Sequence, residues 1–82
     1  MDRTAVINKL TGIFRKVFED NSLVLTDDMT ANDVEQWVSL THMLLITEIE
    51  TDFAITLKLK DLNKMHTVGD MINIILSKFE TQ

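Results

Sequence analysis

The chain contains no proline, and glycine occurs at only two positions, Gly12 and Gly69. Sheets and tight turns lean on those two residues for punctuation, so a sequence nearly free of them is left with long helices joined by polar loops. The apolar spacing agrees. From residue 3 to about 19, Val6, Leu10, Ile13, Phe14, Val17 and Phe18 share one side of a helix. Residues 20–38 lose that period. Asn21-Ser22, Thr26-Asp27-Asp28 and Ala31-Asn32-Asp33 read as turns, separated by Leu23, Leu25, Met29, Val34 and Trp37. Such a long loop in a small domain is usually functional or pinned by its own apolar residues, and these five are spaced to pin it across a bundle.

Residues 39–53 form a second helix with two apolar stripes. Leu45, Ile46, Ile49 and Phe53 make one, and Leu40, Met43, Leu44 and Thr47 make another roughly opposite. One stripe can enter the core. The other faces a partner or, for Leu40 and Leu44, the underside of the long loop. Residues 54–66 are a basic connector with room for one short helix near Lys58 to Asn63. A last helix opens at Thr67, an N-cap with Asp70 three residues on, and buries Val68, Met71, Ile72, Ile75 and Phe79. The expected core takes in Phe14, Val17, Ile46, Ile49, Phe53, Ile72 and Ile75.

Eighty-two residues suit a single domain over 1–82, with one modest core and no room for a deep catalytic cleft. The absence of cysteine removes disulfides, thiolate nucleophiles and zinc–thiolate sites together. With no apolar run near membrane-spanning length and no signal-peptide pattern at Met1-Asp2-Arg3-Thr4, the expectation is a soluble, cytoplasmic protein without a membrane partner. Charge is distributed unevenly. Between Glu19 and Asp52 lie nine acids and no Lys or Arg, whereas the rest of the chain carries four acids and eight bases. A segment of one sign repels nucleic acid and attracts basic protein surfaces, unless it is simply a solvated face.

Few residues could do chemistry. His42 and His66 are the only imidazoles, and no metalloprotease motif or Gly-rich phosphate loop occurs. The acids at 27, 28 and 33 lack the central Gly and twelfth-position Glu of a calcium loop, so no metal is expected. His42 lies beside the core stripe, which favours a half-buried ring with a satisfied nitrogen over a catalytic base. Ser39, at the first turn of the second helix, reads either as an N-cap or as a hydroxyl presented for modification, where a phosphate would meet free helix N–H groups.

The surroundings of Ser39 bear on that choice. Trp37-Val38-Ser39-Leu40-Thr41-His42-Met43, then Leu45-Ile46 and Glu48-Ile49-Glu50-Thr51-Asp52-Phe53-Ala54-Ile55, resembles the stretch around the modified serine of acyl carrier proteins. The ending from Leu62 to Ile72, with Thr67-Val68-Gly69-Asp70, is similar to that family's final loop and helix, so the resemblance spans nearly the whole chain. It implies an all-α four-helix bundle with three longer helices, one short helix and a long first loop. It also implies a carrier, not an enzyme: acyl groups held as thioesters on a 4′-phosphopantetheine arm on Ser39, for fatty-acid, polyketide or related biosynthesis.

The partners so implied are a phosphopantetheinyl transferase and acyl-transfer and condensing enzymes. They would meet a monomer at Leu40, Met43, Leu44, Thr47, Glu48, Glu50 and Asp52. Met65 and Met71 either fill the core or yield to shelter an acyl chain. Trp37 is common in specialised carriers, so a peptidyl, aryl or D-alanyl carrier is the alternative, together with an unmodified helical adaptor. One departure stands out. Val38 occupies the place of the Asp associated with transferase recognition, which bears on the efficiency of modification without removing the hydroxyl.

Overall fold

The computed structural model describes residues 1–80. In chain order they form α1 (Arg3–Phe18), a 3-10 turn (Ala31–Asp33), α2 (Ser39–Phe53), a one-turn α3 (Leu59–Leu62) and α4 (Val68–Glu80), with no strand among the described residues. The fold is all-α, as the breaker-poor sequence requires.

Each long helix has a physical start. Asp2 caps α1 by accepting from the Ala5 N–H at 2.8 Å. Thr67 and Asp70 form a reciprocal capping box on α4. The Thr67 hydroxyl accepts from the Asp70 N–H at 3.0 Å, and the Asp70 carboxylate accepts from the Thr67 N–H at 3.0 Å. The His66 and Thr67 N–H groups accordingly hold the Asp70 carboxyl below its usual range. Two helices end in left-handed residues that are not glycine, Glu19 after α1 and Ala54 after α2. No glycine advertised either stop.

The core is one cluster. Val6, Leu10, Ile13, Phe14 and Phe18 of α1 meet Leu45, Ile46, Ile49 and Phe53 of α2 and Val68, Met71, Ile72 and Ile75 of α4, with Val34, Trp37, Ile55, Leu57 and Met65 closing it from the connections. Two expected members sit at its margin. Val17 and Phe79 are only partly buried, because each stands at the edge of its stripe near a helix end; Phe79 still places its ring 6.4 Å from that of Phe53.

The long first loop is held as its spaced apolar residues foretold. Leu23, Leu25 and Met29 pack on the core, and Val34 and Trp37 enter it. Polar bonds add to that. Arg15 Nε donates to the Leu23 carbonyl at 2.8 Å, and Arg3 pairs with Asp27. The loop then receives α4: the Val68 and Gly69 N–H groups donate to the carbonyls of Met29 and Asp27 at 2.9 and 2.8 Å. This contact explains the glycine. A Cβ built on Gly69 would lie 2.9 Å from the Asp27 carbonyl oxygen, whereas one on Gly12 meets nothing within 4 Å. Gly69→Ala should therefore cost about 1–3 kcal/mol through overpacking against backbone, and Gly12→Ala should gain about 0.5–1 kcal/mol of helix stability. Urea titration checks both; effects of one sign would contradict the packing described.

Candidate functional site

Trp37 decides where α2 begins. Its indole lies in the core against two rings of α1, 5.2 Å from Phe14 at 90° and 6.0 Å from Phe18. The backbone emerges from this anchor as Val38 and turns at once into helix. The N-cap is Val38, which has no side-chain acceptor to offer, and Ser39 is the first helical residue. The reading of Ser39 as an N-cap is thus corrected by one position. Ser39 is already helical, and its side chain makes no cap bond to the first-turn N–H groups. Its hydroxyl has no hydrogen-bond partner among the described residues.

Thr41 secures the start of α2 from the other side, leaving the first-turn N–H groups without a side-chain acceptor. Its hydroxyl accepts from the Val38 N–H at 2.8 Å and donates to the Gln36 carbonyl at 2.6 Å, tying the loop end to the first turn of α2. The signal was a Thr at the third helical position, hidden while Ser39 was taken for the cap. Ser39 is left exposed and uncommitted.

The second stripe of α2 faces outward. Val38 is 56% exposed, Leu40 71%, Met43 62% and Leu44 48%, so none of them packs under the loop. Thr47 is also exposed, its hydroxyl turned back to the Met43 carbonyl at 3.1 Å. The acids of α2 divide by role. Asp52 is exposed, and Glu48 pairs with Lys16 at 3.3 Å. Glu50 instead accepts from the Leu57 N–H at 3.0 Å and so holds the connector. Asp27, Asp28 and Asp33 are taken up locally by Arg3, Thr26 and the Thr30 N–H.

Beside Ser39 lies an open pocket of about 540 Å³, lined by Ala31, Trp37, Val38, Ser39, His42 and Met43. On its wall the Trp37 indole N–H donates to His42 Nδ1 at 3.0 Å. That bond requires Nδ1 to be unprotonated. Burial pushes the His42 pKa below its ordinary 6.5. Because the folded chain binds this proton less readily than the unfolded one, the associated stability is complete above pH 6.5 and declines as pH falls from there through the lowered folded value. The expected result is a denaturation midpoint that drops across that window in the wild type and drops less in His42→Phe. Equal slopes for the two proteins would refute it.

Comparison with known proteins gives one informative likeness. No family model matches the chain, and no curated protein does. Among solved structures, the solution NMR structure of a holo acyl carrier protein from Geobacter metallireducens is similar, with 41% sequence identity and a TM-score of 0.87. The alignment covers 93% of this chain and 87% of that one.

Proposed function

Given that the chain belongs to the acyl carrier protein family, we propose that it carries acyl intermediates on a 4′-phosphopantetheine arm attached to Ser39. The observation that carries this reading is the state of Ser39: an exposed, unbonded hydroxyl at the first residue of α2, lining a pocket and beside four exposed apolar side chains. The residues present fit such an arm, since the hydroxyl can form a phosphodiester and the pocket can receive the chain next to it. When bound, the group would supply the thiol on which cargo is held as a thioester. Ser39 is a tether, and its nucleophilic activation is the task of the transferase. A covalent leash keeps the cargo at high local concentration near each enzyme, so brief and weak docking suffices.

The docking face of this single carrier domain is the outward side of α2. Leu40, Met43, Leu44 and Thr47 supply a small apolar centre, and Glu48 and Asp52 supply charges that steer basic partners, the transferase and the acyl-transfer and condensing enzymes of fatty-acid, polyketide or related synthesis. Glu48→Lys should weaken partner binding at low salt, with the loss shrinking as salt screens the charges. Glu50→Lys is a different experiment. It should destabilise the fold by about 1–3 kcal/mol, because the Leu57 N–H loses its acceptor. Affinity measured against a transferase at two ionic strengths tests the face; binding that ignores Glu48→Lys at low salt would remove it. Intact mass of the protein from its native host tests the function. The arm's mass on Ser39 supports a carrier, and an unmodified chain supports a helical adaptor.

A further inference from the structure

His42 stands three residues after Ser39 on α2, the spacing that brings side chains to one face of a helix, and the two residues line the same pocket. The ring is not free to choose its protonation. The Trp37 indole N–H occupies Nδ1, and Trp37 itself is held between the rings of α1 and the His42 ring on which it stacks. Neutral imidazole with an acceptor at Nδ1 carries its proton at Nε2. Among the described residues nothing accepts that proton. The pocket wall thus holds a half-buried, oriented donor with no acceptor, on the helical face of an uncommitted hydroxyl.

We propose that His42 is a positioning residue for the group attached to Ser39: its Nε2–H, oriented by Trp37, donates a hydrogen bond to a non-bridging oxygen of the phosphodiester. A phosphodiester keeps its negative charge throughout the neutral range, and an N–H donor to a charged oxygen makes a stronger bond than one between neutral groups. The contact fixes the base of the arm against the pocket while its distal end stays mobile. It rests on the carrier reading and adds a residue to it.

The test uses the full-length protein, armed with coenzyme A and a broad-specificity transferase and checked by intact mass. Two signals are read near neutral pH: the His42 Nε2 proton by long-range nitrogen–proton NMR, and the phosphorus resonance of the diester. Arming the wild type should slow exchange of the Nε2 proton with water and separate the phosphorus resonance from that of a phosphopantetheinylated serine peptide. In His42→Phe the phosphorus resonance should return to the peptide position, whereas His66→Phe should leave it unchanged. Identical Nε2 exchange before and after arming, or a phosphorus resonance indifferent to His42→Phe, would overturn the contact. If His42→Phe does not fold, the exchange measurement on the wild type decides alone. If the wild type gains no arm, Val38→Asp is armed in its place; if that variant too never gains the arm's mass, the carrier reading falls together with this contact.

Discussion

Ile49→Ala is expected to be among the most damaging single substitutions in the fold. Ile49 is fully buried on α2, in one cluster with residues of α1 and α4. Removing the carbons beyond Cβ loses their transfer free energy and leaves a cavity in the core, a cost of about 2–5 kcal/mol. A chain of this length has a total stability of roughly 4–12 kcal/mol, so the substitution takes a large share of it. Phe53→Ala should fall in the same range, because the Phe53 ring is buried, sits under Lys9 and faces Phe79. The informative comparison is Leu40→Ala on the opposite stripe of the same helix. It should change the stability by no more than about 0.5 kcal/mol, as surface substitutions do. Chemical denaturation of the three variants reads this directly, and a Leu40→Ala midpoint as low as that of Ile49→Ala would mean the two stripes had exchanged roles.

The second large effect concerns Val38 and Ser39. Ser39→Ala should abolish arm attachment, since alanine offers no hydroxyl. Thr41 cannot substitute, because its own hydroxyl is bonded to Gln36 and Val38 at 2.6 and 2.8 Å. Val38→Asp should act in two ways that can be separated. Val38 is the N-cap of α2 and gives no side-chain bond, so an aspartate there can accept from the first-turn N–H groups and raise stability by about 0.5–2 kcal/mol. It also supplies the carboxylate that the transferase is expected to read beside the serine, which should speed modification. A mass-spectrometric time course with a transferase and coenzyme A gives the rate, and urea titration gives the stability. A slow wild type, a fast Val38→Asp and an inert Ser39→Ala constitute the expected pattern. If Val38→Asp is more stable yet never modified, the carrier reading gives way to the unmodified adaptor. A peptidyl, aryl or D-alanyl carrier would instead be modified normally and differ in the cargo it accepts.

The sequence alone determined the helices and much of the site. Periodic apolar residues and near-absence of breakers dictate three long helices, because local backbone preference and amphipathic spacing act over neighbouring residues. The Thr67–Asp70 cap and the short helix near Lys58 to Asn63 were legible for the same reason. So were the two stripes of α2, which a helical wheel separates without knowledge of what each will face. Tertiary structure decided the rest. Whether Leu40 and Leu44 lie under the loop or in solvent depended on where the loop runs, and Trp37, by inserting between α1 and α2, takes that place itself. Ser39 lost the N-cap position to Val38 through the direction in which the chain leaves Trp37. Glu50 was indistinguishable from Glu48 by charge and neighbourhood, yet it turns to the connector because Ala54 reverses the backbone and brings the Leu57 N–H back to it. The Trp37–His42 bond has no signature in either residue. Its donor and acceptor meet only because burial of the indole aims the N–H at one nitrogen of the ring, and side-chain direction of that kind is set by packing across the bundle and not by residue order.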